Sequence, residues 1–206
     1  MPLVIPAAPA QSIEALRSVV PSIAQRPGFT RIAPKLAASL ATTSAEAALS
    51  PALSYKVYTL GLSDLASAPT GLHAAALSAW RHLLVSNGEV VTADVSVDAG
   101  GGNHRFAALN SNPAASAVQD QIAALGKDPA IAAASYEVSV LQVPALGVRA
   151  VWLHDPSGKA ADLLVPVAPV RSELTAGRHY SVAEFSAALK DAAAKALGDN
   201  DPRKGS

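Results

Sequence analysis

Three runs of strand-forming residues follow one another closely in the chain: SYEVSVLQV (residues 135–143), GVRAVWLHD (147–155) and KAADLLVPVAPV (159–170). The second and third runs are joined by Asp155-Pro156-Ser157-Gly158. Asp first, Pro second and Gly fourth are the residue preferences of a type I turn. Strand formers on both sides of such a turn indicate a β-hairpin. Residues 135–170 therefore predict a three-stranded antiparallel meander, whose apolar face needs a covering layer.

Alternating apolar and polar residues predict further strands before the meander. A first strand is expected from about Leu53, where Tyr55, Val57 and Thr59 alternate with their neighbours. A second has Val91, Ala93, Val95 and Val97 on one face and Thr92, Asp94, Ser96 and Asp98 on the other. This pattern is typical of a strand with one buried and one solvated face. The glycines at 100–102 then form a loop that leads into a third strand at residues 104–109.

The spacing of apolar side chains predicts three helices around these strands. The first is expected at residues 70–86, with Asn87-Gly88 ending it; its apolar stripe is His73, Leu77, Trp80 and Leu84. Asn112-Pro113 starts the second, whose buried stripe is Val118, Ile122 and Leu125. Ser181 and Glu184 form a capping box that starts the third, with Phe185 and Leu189 on its apolar side.

Because hairpins outnumber βαβ crossovers in this order of elements, we expect an α+β fold. It would have a largely antiparallel sheet with helices covering one face, preceded by a helical or irregular N-terminal extension. The corresponding boundaries are an Ala/Pro-rich extension at 1–52, an α+β domain at 53–198 and a polar tail at 199–206. Ser12 and Pro34 are predicted to start two short helices of the extension. The extension has three alternatives: a packed segment, a binding arm or targeting segment, or a disordered tail.

Composition limits the classes of partner. Half of the 206 residues are apolar, 4% are aromatic and 16% are charged, and the formal net charge is zero. A neutral chain has no long-range attraction to nucleic acid or anionic lipid, so we expect neither as a partner. A low-charge, apolar-rich surface instead favours a protein partner or a homo-oligomer.

The chain has no cysteine, which excludes thiol nucleophiles, disulfides and thiolate metal sites. Its start lacks the basic n-region of a secretory signal, and no apolar run reaches the roughly 20 residues of a membrane span. We therefore expect a soluble cytoplasmic protein without a membrane partner. No motif indicates a cofactor.

The candidates for chemistry are few. His104 and the pair His154-Asp155 lie at hairpin tips, and they could form an acid–base couple or half a metal site if their strands are neighbours. The Gly100–Gly102 run is interpreted as a flexible hairpin loop, because neither phosphate-binding glycine pattern is complete. His73 is predicted to be half-buried and His82 solvated. Trp80 and Trp152 are predicted to anchor the core.

Two functions remain. The first is a non-catalytic interaction or assembly protein, in which residues 1–52 contribute to the contact surface. Deleting residues 1–50 would then weaken association and leave residues 53–198 folded. The alternative is a small enzyme or ligand-binding domain with a pocket between sheet and helices, using His104, His154 and Asp155.

Overall fold

The computed structural model describes residues 3–67, 72–98, 100–111, 113–170 and 173–199. Eight strands within these residues form a mostly antiparallel sheet: β1 (Leu53–Thr59), β2 (Ala76–Ser86), β3 (Glu89–Val97), β4 (His104–Asn110), β5 (Glu137–Val143), β6 (Val148–His154), β7 (Leu163–Pro166) and β8 (Tyr180–Ser181). Their hydrogen-bonded order is β4-β3-β2-β1-β5-β6-β7-β8. The described helices are α1 (Ala10–Ala24), α2 (Pro27–Ile32), α3 (Pro34–Thr42), α4 (Ala45–Ala48), α5 (Leu62–Ser67), α6 (Pro113–Leu125), α7 (Pro129–Ala132) and α8 (Val182–Asp199). The protein therefore has the predicted α+β fold.

Contacts between residues divide the chain into two compact units. The first unit comprises the described residues within Met1–Val4, Val57–Ala76 and Ala117–Ser206, and the second comprises those within Ile5–Lys56 and Leu77–Ser116. Both units are discontinuous in sequence. The boundaries predicted from composition, at 52 and 198, stay a prediction, and the tail beyond Asp199 lies outside the described residues.

The first unit contains the meander that the sequence predicts. Strand β5 pairs with β6 in antiparallel register from Glu137 opposite His154 to Val143 opposite Val148. Strand β6 pairs with β7 in the same sense, with Leu153 opposite Leu163. The prediction of three consecutive antiparallel strands is confirmed.

The connection between β6 and β7 is longer than a tight hairpin. The predicted turn forms, with the Gly158 amide donating to the Asp155 carbonyl at 3.0 Å. The amides of Lys159 and Ala160 then donate to the Asp155 carboxylate instead of joining a ladder. Strand β7 therefore starts only at Leu163. The predicted strand at 159–170 is correct over these four residues alone.

Helix α8 packs on this unit as predicted. The Ser181 amide and hydroxyl donate to the Glu184 carboxylate at 2.8 Å, and the Glu184 amide donates back to the Ser181 hydroxyl at 3.2 Å. This is the predicted capping box. Phe185 and Leu189 are fully buried, in one core cluster with strand residues that include Leu141, Ala150 and Leu164. Helix α6 starts at Pro113, and its predicted cap, Asn112, lies outside the described residues.

The helix predicted at residues 70–86 is wrong, because residues 76–86 form strand β2. Residues 70 and 71 lie outside the described part of the chain. Strand β2 pairs with β3 through a two-residue turn in which Asn87 and Gly88 have φ of 48° and 78°. Positive φ at both positions is the signature of a type I′ hairpin, for which Asn-Gly is the preferred sequence. His73, predicted on the helical stripe, lies exposed in a short 3-10 turn at Leu72–Ala74.

The N-terminal helices and the residues that join them supply six of the ten buried residues in the second unit's core cluster. Leu16, Val20 and Leu36 are fully buried against strand residues. The buried members of this cluster are Leu16, Val20, Phe29, Ala33, Leu36, Leu49, Leu84, Val91, Ala93 and Val95. The Glu89 carboxylate also accepts the amides of Lys35 and Leu36 at 3.1 and 3.0 Å. It thereby caps the first turn of α3, which starts at Pro34 as predicted.

A buried histidine joins α1 to the strands. His82, predicted to be solvated, is 0% exposed. Its Nε2 lies 2.8 Å from the Ser12 hydroxyl and its Nδ1 lies 2.9 Å from the Ser54 hydroxyl. Ser12 is inside α1 and does not cap it, because the helix starts at Ala10. Burial lowers the pKa of His82 to about 4, and the charge of His104 adds to the decrease while that of Asp94 opposes it.

The buried His82 should make the second unit sensitive to acid. Its pKa is about 4 in the folded protein against 6.5 ordinarily, so the unfolded chain binds its proton first as the pH falls. Stability should be complete above pH 6.5 and decline between 6.5 and 4. We expect this site to cost roughly 2–3 kcal/mol of unfolding free energy between pH 7.5 and 4.5.

Urea unfolding of the wild type and of His82→Gln at both pH values measures this contribution. Glutamine can donate and accept a hydrogen bond but does not titrate, so the variant should lose less stability in acid. Equal losses in the two proteins would contradict the assignment.

Residues 1–50 contribute to the core of the second unit, so we no longer expect residues 53–198 to stay fully folded when this segment is deleted. Deleting residues 1–50 removes Leu16, Val20 and Leu36 and leaves the apolar faces of β2 and β3 uncovered. We therefore expect the truncated protein to lose amide protection in β2–β4, as measured by hydrogen exchange. Slow exchange in those strands after truncation would show that residues 53–198 fold alone.

Candidate functional site

Trp152 lies at the border of the first unit's core. Its neighbours Val151 and Leu153 are fully buried, but Trp152 is only partly buried. It shares a strand face with Ala150, which lies in the core cluster around Phe185 and Leu189, and it packs against the edge of that cluster. Trp152 therefore packs on the core as predicted but remains partly exposed, whereas Trp80 is buried as predicted, at 4% exposure.

The carboxylate of Asp162 orients two side chains of β6. The indole Nε1 of Trp152 donates to its Oδ2 at 2.9 Å. The Nδ1 of His154 lies 2.9 and 3.0 Å from its two oxygens. Because a carboxylate can only accept, the His154 proton must be on Nδ1 when the ring is neutral, and Nε2 is then an acceptor. The His154 side chain is 49% exposed and that of Asp162 is 23% exposed.

Two further rings stand around the indole. The ring of Tyr58 in β1 lies 5.0 Å from Trp152 at an interplanar angle of 71°, and the ring of His154 lies 6.0 Å away at 63°. Edge-to-face pairs at such distances are mutually attractive. We call Tyr58, Trp152, His154 and Asp162 the aromatic cluster. Its three rings have their orientation set by contacts within the protein and remain partly open to solvent.

The carboxylate of Asp155, a candidate acid–base group, accepts hydrogen bonds within its own turn and the loop that follows. It accepts from the Ser157 hydroxyl and amide at 2.7 and 2.8 Å. It also accepts from the amides of Lys159 and Ala160 at 3.1 and 2.8 Å. The hydrogen bond from the Ser157 hydroxyl, followed by those from the Ala160 and Ser157 amides, lowers the pKa of Asp155 to about 2. A 4% exposed carboxylate with four donors has little capacity to transfer protons near neutral pH.

The strands of His104 and His154 are not neighbours in the sheet, as an acid–base couple between them was expected to need. His104 starts β4, which pairs with β3, whereas β6 pairs with β5 and β7. His104 instead lines a cleft of about 780 Å³ along α1, with residues that include Gln11, Glu14 and Arg17. Its Nδ1 is buried without a hydrogen-bond partner. A ligand role for His104 and His154 stays a prediction.

The glycine loop and the strand carboxylates have structural partners. The Asp98 carboxylate accepts the amides of Gly102 and Asn103 at 3.0 and 3.3 Å, so these amides are occupied within the hairpin. Asp94, predicted to be solvated, forms a two-bond pair with the Arg81 guanidinium at 2.6 and 2.8 Å. The described residues hold no group of three metal-ligating side chains. Within the same residues, no helix has the length and apolar character needed to cross a membrane.

Comparison with known proteins yields no relative. No family model, curated protein or solved structure matches the chain. Functional inference therefore depends on the side chains described above. The sequence analysis did not predict the aromatic cluster, because its four members come from β1, β6 and a loop. No motif in the neighbouring sequence marks Tyr58 or Asp162 as part of a site.

The two tryptophans provide a test of where the core ends. Trp80→Ala removes a buried ring and should cost about 3–5 kcal/mol of unfolding free energy. Trp152→Ala removes a partly exposed ring and should cost less, roughly 1–2 kcal/mol. Urea unfolding of both variants measures the difference. Equal costs would place Trp152 in the core after all.

Proposed function

We propose that this protein acts by binding another protein and that the aromatic cluster is part of its contact surface. The observation that supports this best is the partly exposed Trp152, which is held by a hydrogen bond to Asp162 and by the edge-to-face contact with Tyr58. Trp and Tyr are enriched among the residues that contribute most to binding energy at protein interfaces. A ring already fixed in one orientation loses little conformational entropy on binding.

Composition also favours this proposal. The chain has only two tryptophans and four tyrosines, and one of each stands on this surface. A formal net charge of zero gives no strong repulsion between the protein and a partner. The partner can be a different protein or a second copy of this chain.

The cleft along α1 supports a second candidate, the binding of a small molecule. A volume of about 780 Å³ falls within the roughly 300–1,000 Å³ of typical ligand pockets. Polar side chains of Gln11, Glu14 and His104 line it together with apolar ones. This candidate would replace the first if association proves independent of the aromatic cluster.

Association measurements on matched variants test the first proposal. Light scattering gives the mass of the purified protein, and proteins captured by the wild type are identified and re-bound in purified form. Trp152→Ala should weaken the resulting complex at least about tenfold, as removal of a central aromatic contact does. The control is Val85→Ala, which removes a 48% exposed apolar side chain of β2 and should change the affinity less than about twofold.

Circular dichroism and the unfolding midpoint establish that both variants are folded. A complex with equal affinity for wild type and Trp152→Ala would overturn the assignment of this surface. A monomeric protein that retains no partner would overturn the proposed function and leave the α1 cleft as the better candidate.

A further inference from the structure

We infer that the aromatic cluster binds an organic cation, namely the ammonium or guanidinium group of a Lys or Arg side chain on the partner. This inference rests on the proposed function, since it names the chemical group that the contact surface recognises. Its basis is the combination of three adjacent, partly exposed rings with a carboxylate that contacts two of them.

The rings provide the first half of the site. Tyr58 and His154 stand at 71° and 63° to the indole plane of Trp152, so the three rings present differently oriented walls. The π faces of aromatic rings carry negative electrostatic potential, and Trp attracts cations most strongly. Proteins use groups of neighbouring aromatic side chains to recognise alkylammonium groups.

The carboxylate provides the second half. Asp162 accepts hydrogen bonds from Trp152 Nε1 and His154 Nδ1, and both donors are uncharged when the His154 ring is in its neutral form with the proton on Nδ1. The cluster then keeps one net negative charge, and 23% of the Asp162 side chain is exposed. A carboxylate has about four lone-pair positions, so oxygen capacity remains for a further donor.

Other classes of group fit this charge pattern less well. An anionic group would be repelled by Asp162 and by the ring faces. An uncharged aliphatic group could contact the rings but would gain nothing from the carboxylate. The guanidinium of Arg and the ammonium of Lys satisfy both parts, because each combines a positive charge with several N–H donors.

The experiment uses the unmodified full chain and reads the indole N–H signals by NMR. Two tryptophans give two indole signals, and Trp152→Phe identifies that of Trp152. The probes are Nα-acetyl-lysine methylamide and Nα-acetyl-arginine methylamide. The control is Nα-acetyl-norleucine methylamide, which has the aliphatic chain without the charge.

We expect both cationic probes to shift the Trp152 signal saturably, with dissociation constants in the millimolar range, and to leave the Trp80 signal in place. The norleucine probe should bind at least about fivefold more weakly. Raising the salt from 50 to 500 mM should weaken the cationic probes and not the control, since charge attraction is screened. Asp162→Asn keeps an acceptor for the indole but removes the charge, and should reduce affinity for the cationic probes at least about threefold.

The outcomes separate this inference from the function on which it rests. Suppose that Trp152→Ala weakens the protein complex, but that neither cationic probe shifts the Trp152 signal or that the norleucine probe binds equally well. The inference that the cluster recognises a cationic group is then overturned, and the proposed interaction surface stands. If the probes bind but the protein complex is indifferent to Trp152→Ala, the surface recognises cations and the proposed interface is overturned. The salt comparison needs no variant, so misfolding of Asp162→Asn would not remove the test.

Discussion

The carboxylate of Asp155 organises the loop on which the candidate site depends. Four donors from Ser157, Lys159 and Ala160 lie 2.7–3.1 Å from its oxygens. The same hydrogen bonds favour the ionised form and lower the pKa of Asp155 to about 2, so the loop keeps its charged acceptor at any pH well above that value. Because these loop amides donate to Asp155 and not to a neighbouring strand, β7 starts only at Leu163, opposite Leu153. Asp162 directly precedes β7 and lies within hydrogen-bond distance of Trp152 and His154.

The site lies beside the core cluster of the first unit, against which Tyr58 and Trp152 pack. Ala150 is fully buried in the cluster of Phe185 and Leu189, and Trp152, two residues further along the same face, is at the margin of that cluster. A polar indole N–H at such a margin needs an acceptor, and Asp162 supplies it. The same carboxylate holds His154, so one loop residue sets the orientation of two rings. Fixed ring orientations would favour the proposed contact surface, because they reduce the entropy lost on binding.

The second unit combines an apolar core with a few polar links of defined geometry, which range from buried to exposed. His82 contacts serines from α1 and β1, Glu89 caps α3, and Arg81 pairs with Asp94. The links of His82 and Arg81 satisfy buried or partly buried groups, and leaving such groups without a partner would cost free energy. The links of His82 and Glu89 also attach α1 and α3 to the strands through hydrogen bonds of defined geometry.

The sequence by itself determined those elements whose signals are local. The type I turn at Asp155, the capping box at Ser181 and the strand at residues 91–97 each arise from neighbouring residues, and the structure contains all three. The predicted solvated face of that strand is wrong at Thr92, which is 4% exposed. Local signals led to the wrong element at residues 76–86, because Trp80 and Leu84 fit both a helical and a strand face. Here the Asn87-Gly88 turn and pairing with β3 decide for the strand. Only the tertiary structure decided that His82 is buried, that Trp152 is partly exposed and that the Asp162 carboxylate contacts Trp152 and His154. The exposure of each of these side chains depends on which other segment packs against its face of the sheet. That packing joins residues far apart in sequence, so neighbouring residues do not reveal it.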